Sequence, residues 1–277
     1  MDRPDLIASD VDGTLLTPME RMTRRTLDVL GRVQGAEVPF VLVSGRPPRW
    51  IPPVASQADI TGYAVCANGA ALYDIGSDKV LSVRGLDPVM LHDVADAVLS
   101  ALPGAHLAAE RVGETAHDQS VPQFLAEERF RNPWNGATAP HGEGESEPAT
   151  RAEVLGKTAI KLLVSVGWMT SDEMAHAARQ MLGDAVDITF STNAGLIEIS
   201  APDVTKASGL AEVAELADVA AEAVVAFGDM PNDVEMLRWA GHGVAMANGH
   251  PSVLASADEI AAANTEDGVA RVLERWF

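Results

Sequence analysis

Short apolar runs that stop at small or polar residues recur along the chain. Leu6-Ile7-Ala8 ends at Ser9-Asp10, the run over 38–43 ends at Ser44-Gly45, and Ala64-Val65-Cys66-Ala67 ends at Asn68-Gly69. Further on, Val224-Val225-Ala226-Phe227 stops at Gly228-Asp229, and Gly243-Val244-Ala245-Met246 stops at Ala247-Asn248-Gly249. None alternates apolar with polar residues, which predicts parallel strands buried on both faces. Helix-type stretches lie between them, over 21–33, 208–217 and 231–239. This rhythm predicts an α/β fold with a doubly wound parallel sheet. Ligands of such sheets bind beyond the carboxyl ends of the strands, so the polar residues that end the runs are the first candidates for chemistry.

The middle of the chain reads differently. Helices are predicted over 88–102 and 171–182, and strands over 160–166, 186–190 and 196–199. Several apolar positions there are separated by polar ones, as in a sheet with one wet face. The stretch 132–150 contains Gly142-Glu143-Gly144-Glu145-Ser146-Glu147-Pro148 and reads as a mobile surface loop. The organisation expected is a core formed by 1–83 and 200–277, with 84–199 inserted as a second α/β domain.

Composition narrows the partners. The 277 residues include 40 acidic and 20 basic side chains, a net charge of −20. The excess is spread evenly: residues 85–199 hold 17 acids and 7 bases, the rest 23 and 13. A chain so acidic lacks the cationic face that nucleic acid or an anionic membrane requires. One cysteine, Cys66, precludes an internal disulfide and suggests a reducing compartment. With no signal peptide in view and no run of about 18 apolar residues, a soluble cytoplasmic protein is expected, a monomer or small homo-oligomer.

The chemistry gathers where the runs end. Asp10-Val11-Asp12-Gly13-Thr14 offers two carboxylates, one able to attack as a nucleophile while the other moves protons, although an ordinary polar turn reads the same way. Gly228-Asp229-Met230-Pro231-Asn232-Asp233 brings two more carboxylates that could share a hard cation with Asp10. It also fits a helix start with Asp229 as the cap and Pro231 near the first position. So many like charges need cations to hold them together. Lys206, one of four lysines, is suited to bridge a carboxylate and a phosphate. Ser44-Gly45-Arg46 offers a hydroxyl and backbone N–H groups to phosphate oxygens, or simply a turn before Pro47-Pro48.

Taken in order, these four segments resemble the haloacid dehalogenase superfamily, in its Cof-like, subclass IIB sugar-phosphatase group. Asn68-Gly69-Ala70 is similar to the group's substrate-side loop, and Asn264-Thr265-Glu266-Asp267-Gly268-Val269 to its C-terminal signature. The resemblance implies a Rossmann-like core with an inserted α/β cap of the C2B type that sets specificity. It implies that Asp10 attacks phosphorus and forms an aspartyl-phosphate, and that Asp12 protonates the leaving alcohol and then activates water. It implies Mg²⁺ on Asp10, the backbone carbonyl of Asp12 and Asp229, with Asp233 supporting, and substrate and its phosphate bound by Ser44, Gly45, Arg46, Asn68, Lys206 and Asn232. Two segments depart from the group: Ala247-Asn248-Gly249 stands for the usual Gly-Asn-Ala, and Ser252-Val253-Leu254 lacks a lysine often found there. The expected activity is Mg²⁺-dependent hydrolysis of a small phosphorylated metabolite such as a sugar phosphate. A phosphomutase on the same scaffold and a non-catalytic metabolite binder are the alternatives.

Other residues carry weaker signals. Arg111, His117, Arg129 and Arg131 could contact a substrate from the inserted region, and Trp50 could border the pocket. Cys66 reads as a small core residue. Trp168 and Trp239 read as core or domain-edge packing, and the histidines, His242 and His250 among them, show no zinc-type spacing.

Overall fold

The computed structural model describes residues 2–131 and 148–277. It divides into two compact units, Met1–Ser82 with Thr205–Phe277, and Val83–Val204. The expected mobile loop lies mostly outside the described residues, as does Trp134.

The strands in chain order are β1 (Leu6–Asp10), β2 (Phe40–Val43), β3 (Tyr63–Cys66), β4 (Ala71–Asp74), β5 (Lys79–Val83), β6 (His106–Glu110), β7 (Phe124–Ala126), β8 (Lys161–Ser165), β9 (Asp187–Thr189), β10 (Leu196–Ser200), β11 (Val224–Gly228), β12 (His242–Met246) and β13 (Glu259–Ala261). The large sheet has the order β13-β12-β11-β1-β2-β3-β4-β5. β13 through β3 run parallel, and β4 turns back antiparallel on β3. Every residue of β1, β2 and β11 is buried, as the unbroken apolar runs require.

The helices follow from local pattern. In Arg24–Gly35 the buried residues Thr26, Val29, Leu30 and Val33 form one stripe, and the Thr23 hydroxyl accepts from the Thr26 N–H at the N-terminus. Lys206–Leu216 starts at Thr205, whose hydroxyl accepts from the Ser208 N–H, and buries Gly209, Leu210 and Val213. Leu210, Val213 and Ala214 join Leu6, Ala8, Val41, Val65 and Ala226 in the main core.

The second unit is built on an antiparallel sheet of order β7-β6-β8-β10-β9. Register places Glu110 opposite Lys161, and Ala108 and Glu198 opposite Leu163, so these side chains share one face. That face is polar, as the alternation predicts, but it is not wet: Glu110, Lys161, Ser165, Glu198 and Ser200 are all buried. Paired charge makes their burial possible, since Lys161 donates to Glu198.

Two further expectations are corrected. Trp168 is not packed in a core; it is 73% exposed. The helix start after β11 is capped by Asp233 rather than Asp229: Asp233 Oδ2 accepts from the N–H groups of Asp229 and Met230, both at 2.9 Å. The predicted helix 231–239 is accordingly a 3₁₀ turn, Pro231–Asp233, followed by the helix Val234–Trp239. No helix among the described residues is long and apolar enough to cross a membrane.

Candidate active site

Three adjacent parallel strands, β11, β1 and β2, end side by side. Asp10 is the last residue of β1 and pairs in register with Val43, so Ser44 follows on one side; Ser9 pairs with Phe227, so Gly228 and Asp229 follow on the other. The polar terminators are thereby assembled at one sheet edge, where open α/β sheets bind ligands.

Asp10 is buried, and its Oδ1 accepts from Lys206 Nζ at 2.5 Å. Lys206 also donates to Asp233 Oδ1 at 2.6 Å. Asp10 Oδ2 is buried and has no hydrogen-bond partner. Burial pushes the Asp10 carboxyl well above its usual range, Lys206 opposing and the charges of Asp233, Asp229 and Asp12 adding to it. Burial also works against the Lys206 charge, but Asp10 and Asp233 more than restore it, and the ammonium lies above its ordinary value. Asp229 is raised to about 7 by burial and then by Asp233, with Lys206 and the Thr14 hydroxyl opposing.

Gly13 shapes the turn that follows. Its φ is +79°, and a Cβ there would lie 2.2 Å from Asp229 Oδ2, so only glycine both takes the left-handed conformation and admits that carboxylate. Thr14 Oγ1 donates to Asp229 Oδ1 at 3.1 Å. Asn248 Nδ2 donates to the Gly13 carbonyl at 2.8 Å, and Asn264 N donates to Asn248 Oδ1 at 2.9 Å. Thr14 and Asn248 carry no assigned role from sequence: Thr14 lies in the matching segment that begins at Asp10, and Asn248 in one that departs from the group. Asn248 makes these contacts even though its neighbours depart from the group's usual order.

The phosphate-side residues divide. Ser44 is buried, and its Oγ accepts from the Arg46 N–H at 3.0 Å, which leaves the hydroxyl hydrogen to donate elsewhere. Asn68 takes a left-handed conformation with φ 59°; its N–H donates to the Ser44 carbonyl at 3.0 Å, and its Oδ1 accepts from Asn232 Nδ2 at 3.0 Å. Asn232 Oδ1 is buried without a partner. Gly69, with φ +103°, allows this turn to touch the start of the Lys206 helix, because a Cβ there would lie 2.1 Å from the Thr205 carbonyl oxygen. Gly45 lies between Ser44 and Arg46 beyond β2. Arg46 is turned to Asp12: Nε donates to Oδ2 at 2.8 Å and Nη2 to Oδ1 at 2.6 Å.

Asp10, Asp229 and Asp233 each offer an oxygen within 4.8 Å of the others, forming a group able to hold a metal ion. With Lys206 as the adjoining cation, three ionised carboxylates leave two negative charges over, the charge of a divalent ion. The donors are all oxygen, and Asp10 presents an unpartnered buried one, so the residues fit a hard divalent cation. Asp233 is least free to ligate, because Lys206 and two backbone N–H groups occupy both its oxygens.

The remaining candidates have other partners or surroundings. Arg111 is buried and donates to the carbonyls of Glu153 and Val154, which gives it a structural task. His117 is exposed, and Arg129 and Arg131 line a cavity of about 600 Å³ with His106, Glu128 and Trp168 in the second unit. Trp50 stacks under the Arg49 guanidinium at 5.1 Å, Cys66 is a buried thiol whose Sγ donates to the Ala64 carbonyl at 3.8 Å, and His242 pairs with Glu259 at 3.0 Å.

The geometry agrees with comparisons to known proteins. Residues 7–273 match the model of the haloacid dehalogenase-like hydrolases. The chain belongs to this family. As a member of its phosphatase branch it is a phosphoric monoester hydrolase. It is 29% identical to the Bacillus subtilis 5-amino-6-(5-phospho-D-ribitylamino)uracil phosphatase YitU, over 99% of this chain and 98% of that one. It is 27% identical to the Escherichia coli pyridoxal phosphate phosphatase YbhA, over 97% of each. The subclass IIB sugar phosphatase BT4131 shares its fold, with a TM-score of 0.78 at 21% identity and 98% of both chains covered.

Proposed function

We propose that this hydrolase releases phosphate from small phosphorylated metabolites, sugar phosphates among them, through a covalent intermediate on Asp10. The observation that carries the reading is the Asp10 carboxylate itself: one oxygen is held by Lys206, and the other is buried without a partner at the end of β1. A carboxylate so held is a positioned nucleophile. Asp10 attacks phosphorus while Asp12 gives a proton to the leaving alcohol; Asp12 then takes a proton from the water that cleaves the intermediate. Ser44, Lys206 and Asn232 hold the phosphoryl oxygens, with the Gly45 and Asn68 turns beside them. Asp10, the Asp12 carbonyl and Asp229 hold Mg²⁺, with Asp233 supporting them through Lys206 and the Asp229 N–H. When bound, the ion offsets the charge of the site and of the phosphoryl group. The names of YitU and YbhA support a small phosphorylated substrate. We assign Val83–Val204 the role of a cap that sets substrate choice, on its insertion between the two halves of the other unit.

Phosphate release across a panel of phosphorylated metabolites, with Mg²⁺ and with chelator, tests this. Release is expected with Mg²⁺, lost on chelation and regained on adding the ion back. Asp10→Asn is expected to remove turnover by about 10⁴-fold or more with the fold intact. Asp229→Ala is expected to raise the Mg²⁺ concentration needed for half-maximal rate. An isomeric phosphate in place of free phosphate would make the enzyme a mutase, and silence over the whole panel would make it a binder.

A further inference from the structure

We infer that Arg46 is a positioning residue for Asp12 and not a ligand of the substrate phosphate. The inference deepens the phosphatase reading and rests on it.

Both oxygens of Asp12 are taken by the two-pronged guanidinium of Arg46. The two side chains differ in exposure: that of Arg46 is 9% exposed and that of Asp12 53%. The arginine is also fixed along its backbone, its N–H donating to Ser44 Oγ at 3.0 Å and its carbonyl accepting from the Ala67 N–H at 2.9 Å. A second carboxylate, Glu20, lies 3.7 Å from Nη2. The guanidinium is thus already matched by two negative groups, whereas the Lys206 ammonium lies directly on the nucleophile. An exposed aspartate left alone samples several rotamers, and a bidentate arginine selects one. Misplacement of an acid–base group by about an ångström is enough to cost about a hundredfold in rate.

The chemistry supplies a way to see this. In the first half-reaction a bond forms between an Asp10 oxygen and phosphorus while the ester P–O bond breaks. The bonding pair leaves on the ester oxygen, which takes the Asp12 proton. In the second, the Asp12 carboxylate takes a proton from water, the water oxygen bonds to phosphorus, and the bond to Asp10 breaks with its pair returned to that carboxylate. An alkoxide leaving group needs the proton, whereas 4-nitrophenolate is stable as the anion and departs without it. A residue acting through Asp12 therefore affects the two kinds of ester unequally, and a phosphate ligand affects them alike.

The test compares kcat/KM, which reports formation of the intermediate, for p-nitrophenyl phosphate and for the best alkyl phosphate of the panel. Arg46→Met is expected to lower kcat/KM for the alkyl ester by about 100-fold or more, and by at least about tenfold more than for p-nitrophenyl phosphate. Arg46→Lys, which keeps the charge and loses the fork, is expected to follow Arg46→Met, and carries the test should the Met variant not fold. Asp12→Asn combined with Arg46→Met is expected to be no worse than Asp12→Asn alone. Equal losses on both esters, rescue by lysine, or additive losses in the double variant would overturn the inference. Absence of phosphate release by the wild-type enzyme from either ester would instead overturn the phosphatase reading.

Discussion

Each unit of the protein buries a lysine among carboxylates, and the two lysines are built to different ends. In the first, Lys206 is shared between Asp10 and Asp233, with Asp229 close by and one Asp10 oxygen left without a partner. In the second, Lys161 donates to Glu198, whose other oxygen accepts from Ser191 Oγ at 2.7 Å, and no atom of that pair is orphaned. Both lysines are almost wholly buried. Burial and ion pairing therefore do not by themselves mark a functional site. What separates them is completeness: no atom of the Lys161–Glu198 pair lacks a partner, whereas the Lys206 group keeps a buried Asp10 oxygen without one and gathers three carboxylates able to hold a metal ion. A buried charge left uncompensated is costly, so an open cluster implies a ligand that completes it.

The comparison would break most visibly at Lys206. Lys206→Met is expected to lower phosphate release by at least about 100-fold, since it removes a donor from both nucleophile and phosphoryl group. A variant with near-wild-type turnover would place Lys206 in the same structural class as Lys161. At the closed pair the expectation is reversed. Lys161→Met leaves Glu198 buried without its cation and is expected to cost about 3–5 kcal/mol in urea denaturation, with p-nitrophenyl phosphate turnover per folded molecule largely kept. Lys161→Met with Glu198→Leu is expected to regain most of that stability. Failure to regain it would mean that other partners of the pair need the charge.

An exposed pair sharpens the role of burial. Arg275 donates to Glu259 in two hydrogen bonds and, with His242, holds that carboxyl down at about 2, partial burial opposing. A depressed carboxyl stabilises the fold above its ordinary value of 4.5, and that contribution fades as the pH falls through about 2. Because the Arg275 side chain is 52% exposed, Glu259→Gln is expected to cost under about 1 kcal/mol at pH 7. The difference from wild type should vanish towards pH 2 in acid-denaturation curves. A cost as large as that at Lys161 would show that burial is not what makes the closed pair sensitive.

Much of this architecture is legible in the residue order. Runs such as Val224-Val225-Ala226-Phe227 are apolar throughout because central parallel strands meet packed layers on both faces, and the residues that end them must turn polar where the sheet stops. Asp10, Ser44, Asn68 and Asp229 follow such runs, whereas Lys206 opens a helix. The weaker strands are not legible in this way. β4 and β5 lie at the edge of the large sheet, where β5 alternates between exposed and half-exposed positions, and β6 and β7 carry only the short runs Leu107-Ala108-Ala109 and Phe124-Leu125-Ala126. Their pairing is set by neighbours and leaves little trace in their own sequence. The buried polar face of the second unit was misread as wet for a related reason: alternation reveals which residues share a face, but not whether that face meets water.

The order of chemical groups along the chain, and their place at strand ends, could be read without coordinates, because hydrophobic period and turn chemistry act over a few residues. Which groups meet follows from the family resemblance and not from local pattern. Lys206 reaches Asp10 across 196 positions because the order β11-β1-β2 and the packing of one helix bring them together. Arg46, equally suited by sequence to a phosphate, is directed to Asp12 by a buried backbone and two neighbouring carboxylates. Nothing in the local sequence tells Lys206 from Lys161; partners supplied from distant strands leave one cluster open and close the other.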